Sequence, residues 1–253
     1  MNVGTQEFSK NLARVLKPGS LILNSPVWSI NQTPKGVYVT SGRGQFQCRR
    51  VIVSVPTTLY KDIVFNPPLP EDKLALSKVS KHGFVTKMNL IYKEPWWRDS
   101  KLSGMAQSWI GPVSVTRDVS VDMKGLYVLT CFVAADAGHT WSKLSAEDRK
   151  VQVVKQIRRM FSPYVERVPD PIDVVFHIWF EDQWSQGCPC PAMPAGVLSK
   201  LGHALRIPHQ NIHFVGTETA YEWKGYMDGA IRSGERGAAE VIQELDTTLK
   251  AVL

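Results

Sequence analysis

Apolar and polar positions change period along this chain, and each change marks an element. From Thr5 to Leu16 the apolar residues Phe8, Leu12, Val15 and Leu16 fall on one side of a helix, which Pro18-Gly19 stops. From Leu21 to Pro56 the pattern becomes that of short strands, LILN, VWSINQT, GVYVTS, GQFQC and RRVIVSVP, divided by Pro34-Lys35-Gly36 and Ser41-Gly42-Arg43-Gly44. These predict a small β-meander. Its last strand, Val51 to Val55, is a β-branched run of the kind covered on both faces of a larger sheet.

Pro67-Pro68-Leu69-Pro70 reads as a rigid connector, followed by a short helix from Glu71 to Val79. In the next strand, Gly83 to Tyr92, alternation places Phe84, Met88, Leu90 and Tyr92 on one face and Lys87 and Asn89 on the other. Further strands are expected at Ala106 to Ile110, Val113 to Arg117 and Leu126 to Ala134. A helix then starts from a Ser145 cap, carries Glu147 and Asp148 in its first turn, and runs to about Phe161. Asp173 to Phe180 predicts one more strand, and Ser185 to Pro194, SQGCPCPAMP, is an irregular loop.

The stretch Asn211 to Leu253 organises the rest. Ile212, Phe214 and Val215 predict a buried strand, Gly216 to Tyr226 a polar loop, and Met227 the start of a long helix. Ile231, Gly234, Ala238, Val241, Ile242, Leu245 and Leu249 share one helical face, and the final LKAVL closes the helix. A strand, a glycine-bearing turn and a helix N-terminus together present backbone N–H groups to an electron-rich ligand.

Composition narrows the classes. An apolar content of 43% in 253 residues supports a real core. The net charge of +7 is scattered apart from pairs such as Arg49-Arg50 and Arg158-Arg159, which predicts a solvated basic surface and no nucleic-acid partner. Four cysteines make no disulfide framework, and no apolar run is long enough to cross a bilayer. With no signal-peptide core at the N-terminus and no SKL-type ending, the expectation is a soluble, cytoplasmic protein. G-x-S-x-G, P-loop, HExxH and CxxC motifs are absent. Pro208 precedes His209 and His213, so these two share no helical face, and Cys188-Pro189-Cys190 is too closely spaced for a zinc knuckle; no metal site is predicted.

What remains is the terminal loop and helix, a strand lysine, and a proline-rich Gly-Cys loop. The segment GTETAYEWKGYMDGAIRSGERGAAEVI resembles the C-terminal flavin-binding motif of monoamine oxidases and related flavin-dependent amine oxidases. VIVSVPTTLYKDIVFNPPLP, GFVTKMNLIYKEPWWRD and WFEDQWSQGCPCPAMPAGVL resemble earlier blocks of the same family in the same order. The resemblance implies FAD as cofactor, with the Met227 N–H near the flavin O2 and Thr217 and Glu218 in the loop lining the cofactor. Lys87 is similar to the lysine that holds a water against flavin N5 and assists reoxidation by oxygen. Tyr226 matches one aromatic wall of the substrate cage; where the other wall is expected, directly after Cys188, this chain has Pro189. Trp179 matches a tryptophan near the flavin, with a buried structural indole as the alternative. Cys188 stands where mammalian members carry a thioether to the flavin, and both covalent and non-covalent attachment stay open.

The implied fold is mixed α/β (α+β), the C-terminal portion of a two-domain flavin amine oxidase. Residues 1–75 would form part of the FAD-binding domain, 76–180 the substrate-binding domain, and 181–253 the remaining FAD-binding part. The family opens with a G-x-G-x-x-G unit for the pyrophosphate, and no such fingerprint stands here; Gly42-x-Gly44 falls in a hairpin turn. Made alone, the chain is expected to bind FAD weakly and to aggregate through open sheet edges. The implied activity is oxidation of a small-molecule amine to an imine with O2 reduced to H2O2, and homodimerisation is an expectation for a full-length protein. Oxidative cyclisation or desaturation of an amine metabolite, or an inactive truncated paralogue, are the alternatives.

Overall fold

The computed structural model describes residues 4–250, with side chains to residue 247. The side chain of Leu249, assigned above to the packed helical face, and the last three residues of LKAVL lie outside what is described. The chain forms two compact units: one runs to Lys81 and resumes at Cys190, and the other is His82–Pro189.

In the discontinuous unit the predicted meander is present. Strands Gly44–Cys48, Gly36–Ser41, Val27–Thr33 and Val64–Asn66 lie side by side in that order, the last pairing parallel to Val27–Thr33. Val64–Asn66 is too short to show a period in sequence; its partner makes it a strand. LILN is not a strand, because residues 21–24 find no pairing partner and Leu21, Ile22 and Leu23 stay exposed. A second, parallel pair joins Val51–Val53 to Ile212–Phe214. The expectation that the Val51 run is covered on both faces fails at Ile52, which is exposed. Ile30, Val37, Val53, Tyr60, Phe65 and Phe214 form the core of this unit.

The terminal helix, Met227–Lys250, starts at the expected residue but does not pack by the expected face. Ile231 and Ile242 are 50% and 59% exposed, whereas Gly229, Ser233 and Gly237 are buried. A Cβ at Gly237 would stand 2.3 Å from Val215 Cγ1, so the helix backbone sits directly against the strand end. Charge completes the contact. His213 is fully buried, with Nδ1 3.0 Å from a Glu240 carboxylate oxygen and Nε2 3.2 Å from Glu244. Arg50 Nε donates to Glu244 across 2.8 Å.

The His82–Pro189 unit is built on an antiparallel sheet in the order Asp173–His177, Val85–Tyr92, Tyr127–Ala134, Val113–Asp118, Ala106–Gln107. The alternation read from sequence holds: Met88, Leu90 and Tyr92 are buried on one face, and Lys87 is exposed on the other. The buried face joins Trp96, Trp97 and Trp141 and the helix Ala146–Phe161, which contributes Val153, Ile157 and Phe161. Ser145 caps that helix as expected, its Oγ accepting the Asp148 N–H at 3.1 Å. Gln156 clamps the hairpin to the helix: Oε1 accepts from Val113 N at 2.8 Å, and Nε2 donates to the carbonyls of Ile110 and Val113 at 2.7 Å. The helix Ala135–Ser142 follows its strand without a break and carries no sequence signal of its own. The Asp173 strand ends at His177 rather than Phe180, because the chain turns with Glu181 N–H donating to the Ile178 carbonyl at 3.0 Å.

Among the described residues no helix is long and apolar enough to cross a membrane, and no cluster of side chains has the makings of a metal site.

Candidate active site

The candidate residues fall into two groups, one in each unit. In the discontinuous unit, Thr217, Glu218, Tyr226 and Met227 lie in or beside the loop of residues 216–226. Gly216, at φ +118°, adopts a conformation that disfavours any side chain, and an added Cβ would stand 3.1 Å from Glu218 Oε2. Its N–H donates to Ser233 Oγ at 3.0 Å, tying the loop to the helix. Thr217 closes the loop. Its Oγ1 accepts the Gly225 N–H at 2.7 Å and donates to the Tyr226 carbonyl at 2.9 Å.

Two guanidinium groups outside the predicted set brace the same loop. Arg206 donates to the carbonyls of Thr219 (2.6 Å) and Ala220 (3.1 Å) and stacks 3.8 Å from the Tyr221 ring centroid. Arg236 donates to the Phe214 carbonyl at 2.8 Å and to Thr219 Oγ1 at 3.0 Å. Arg206 lies outside the flavin-type motif and Arg236 inside it, but only the folded loop shows which carbonyls the two hold.

Glu218 points inward. It is 4% exposed, and its carboxylate accepts from the backbone N–H groups of Thr57 and of Glu218 itself. Burial raises the pKa of this carboxyl, while those two N–H groups and the Lys224 charge pull the other way. Among the described residues its Oε1 has no hydrogen-bond partner. Tyr226 and Met227 point outward, 65% and 51% exposed, at the start of the helix. The Tyr226 ring meets Trp223 edge-on, with centroids 6.0 Å apart.

In the His82–Pro189 unit, Lys87 leaves the exposed face of its strand and lies 5.5 Å from the Phe132 ring centroid. Cys188 comes to the same strand: its Sγ donates to the Val85 carbonyl at 2.8 Å, and its N–H donates to the Gly83 carbonyl at 3.2 Å. The approach depends on glycine, since a Cβ at Gly187 would collide with His82 Cβ at 2.3 Å. Burial raises the Cys188 thiol pKa, and the nearby Lys87 charge lowers it. Trp179 is half-exposed rather than a core indole; its ring stands edge-on to His177 at 4.6 Å. The structure thus gathers Lys87, Cys188 and Trp179 around neighbouring strands of one sheet.

The family profile described as "Flavin containing amine oxidoreductase" matches residues 2–242. The chain belongs to this family. It is 38% identical over 238 residues to a candidate flavin-containing monoamine oxidase, AofH, of Mycobacterium tuberculosis, covering 94% of this chain and 51% of that protein. An L-amino acid dehydrogenase of Synechocystis is 33% identical over 223 residues, covering 88% of this chain and 47% of its own. Among solved structures, wild-type putrescine oxidase bound to putrescine superposes with a TM-score of 0.87 at 29% identity, covering 95% of this chain and 53% of that one. The chain therefore spans about half the length of the curated relatives it matches.

The residues present fit a flavin. An exposed helix start offers the N–H groups of its first turn to a negatively polarised ring edge. Lys87 supplies an exposed cation on a strand paired on both sides, and the Cys188 thiol is hydrogen-bonded to the same strand.

Proposed function

We propose that this chain carries the residues of an FAD-dependent amine oxidase that converts an amine to its imine and passes the two electrons to O2, giving H2O2. When bound, the isoalloxazine supplies the two-electron acceptor. The observation that carries this reading is Lys87, an exposed ammonium on a strand whose alternate residues Thr86, Met88, Leu90 and Tyr92 are buried, in a chain of the flavin amine oxidoreductase family.

Each residue has a physical task. The helix dipole and first-turn N–H groups from Met227 favour negative charge on the cofactor edge they face. Thr217 holds the loop that leads into that helix, and Glu218 fastens it from beneath through Thr57. Lys87 orients water and favours negative charge developing on oxygen. The exposed Tyr226 ring offers an apolar, electron-rich face to an arriving amine. Residues 76–180 serve chiefly in substrate binding, and residues 1–75 and 181–253 in cofactor binding.

A second reading, oxidative cyclisation or desaturation of an amine metabolite, is favoured by Pro189, which replaces the second aromatic wall with a small ring. One experiment separates the readings. The FAD-loaded protein is mixed with a panel of primary, secondary and cyclic amines, and H2O2 and product masses are followed. Peroxide with deaminated or dealkylated product supports amine oxidation, and a product lighter by two hydrogens with its ring closed supports cyclisation. A protein that binds FAD yet reduces it with no amine refutes both.

A further inference from the structure

Trp223, in the same loop as Tyr226, has a backbone conformation that its side chain disfavours. Its φ is +54°, in the left-handed region where a bulky residue is an outlier. The surrounding chain holds it there. The Trp223 carbonyl accepts the Tyr226 N–H at 3.0 Å and lies over Gly229, where an added Cβ would stand 2.2 Å from that oxygen. Glycine at this position of the helix is what lets the loop come so close. The strain does not serve burial, because Trp223 is 60% exposed. It brings the indole to the exposed Tyr226 ring, with the two planes at 88°. Rings at a right angle make a corner walled by π-faces. The cations that flank this corner in sequence are both compensated: Lys224 feels the charges of Glu218 and Cys190, and Arg232 pairs with Glu222 and Asp228.

A strained backbone that its neighbours over-determine, carrying an aromatic ring into solvent, is the mark of a position that meets a ligand. Resting on the amine-oxidase reading above, in which Tyr226 faces the amine, we infer that Trp223 is a specificity-determining residue, the second aromatic wall against which an alkylammonium docks. A cation is drawn to the face of an aromatic ring, most strongly to that of indole, and groups of such rings recognise alkylated ammonium ions. The chain has Pro189 after Cys188, and the second ring comes instead from the loop that carries Tyr226. Ring faces offer no acceptor atom to an N–H group. The corner therefore favours N-methylated amines, which give up less hydration on docking, over primary amines.

The test compares the FAD-loaded protein with Trp223→Gly and Trp223→Phe. The probe is tetramethylammonium, which has neither an N–H nor a lone pair and binds without being oxidised. It should compete with a reacting amine, and tert-butanol, a neutral molecule of similar shape, should not. Trp223→Gly should weaken tetramethylammonium about fivefold, the scale of one exposed cation–π contact, whereas Trp223→Phe keeps most of the affinity. KM for an N-methylated amine should rise by a similar factor, with kcat within about twofold. The denaturation midpoint of Trp223→Gly should not fall, because glycine adopts φ +54° without strain, which offsets its greater freedom when unfolded. Unchanged affinity in Trp223→Gly, or competition by tert-butanol as strong as that by tetramethylammonium, overturns the inference while leaving amine oxidation standing. An affinity loss equal in the two variants and accompanied by lowered midpoints marks a structural role and overturns it too. If no amine reduces the flavin of the unsubstituted protein, the amine-oxidase reading falls and takes this inference with it.

Discussion

The ammonium of Lys73 lies 3.8 Å from the centroid of the Phe214 ring, in the core of the discontinuous unit, and donates to the Ala204 carbonyl. Lys73 is 2% exposed, and burial, aided by the Arg236 charge, lowers its pKa to about 8. The folded protein thus holds this proton more weakly than the unfolded chain does. Below pH 8 both states are charged and folding bears the cost of burial, about 3 kcal/mol from the size of the shift. Between pH 8 and 10 the unfolded state binds more protons, so stability rises with pH. Tyr60, whose hydroxyl burial keeps protonated, opposes this above pH 10, where the unfolded phenol ionises. The contribution is therefore read as the difference between the unsubstituted protein and Lys73→Met in denaturant titrations at pH 7, 8, 9 and 10. The gap between the two should change with pH, and parallel curves would refute the assignment.

Thr217→Val removes a group that both accepts from Gly225 and donates to Tyr226. The Tyr226 carbonyl keeps the Ala230 N–H, so the group left unpaired is the Gly225 N–H, at a cost of roughly 1–2 kcal/mol. The loss should appear chiefly in flavin affinity, about tenfold or more by fluorescence titration, with little change in the far-UV circular dichroism. An unaltered affinity would show that the loop holds its shape without this hydroxyl.

Lys87→Met should separate the two halves of the catalytic cycle. In anaerobic stopped flow, reduction of the flavin by amine should stay within about threefold of the unsubstituted rate, while reoxidation by O2 slows by about 10²-fold, the scale seen when one electrostatic stabiliser is lost. Equal slowing of both phases would place Lys87 on the amine side instead.

Cys188 is expected to leave the flavin unattached. Thioether formation needs a thiolate, whereas burial holds this group as a thiol and its S–H is committed to the Val85 carbonyl. Acid precipitation should release all the flavin into the supernatant, and Cys188→Ala should release the same amount. Flavin fluorescence in the denatured protein band would contradict this.

The parts of this fold that were readable from sequence are those where one face is buried and the other wet. Val85–Tyr92 is the clearest, since Met88, Leu90 and Tyr92 alternate with Lys87, Asn89 and Ile91. The terminal helix was readable as a helix but not in its orientation. Hydrophobicity points to Ile231 and Ile242, whereas contact with Val215 is made by Gly237, whose contribution is the absence of a side chain. Glu218 sits in the expected loop, yet no sequence pattern says that its carboxylate turns toward Thr57. The pairing of His177 with Lys87 was equally hidden, because strand register between distant segments is set by the assembled sheet rather than by either strand alone.

The helix seated on Gly229, Ser233 and Gly237 has a thermodynamic consequence. Small residues remove little apolar area from water, so docking this helix adds little to the heat capacity of unfolding. Its attachment rests instead on Arg50 with Glu244, His213 with Glu240 and Glu244, and Arg236 with the Phe214 carbonyl. Salt screens the partly exposed Arg50–Glu244 pair more than the contacts of His213, whose side chain is fully buried. Raising the salt concentration should therefore weaken the Arg50–Glu244 pair at the far end of the helix while the buried contacts of His213 and Arg236 keep its start in place.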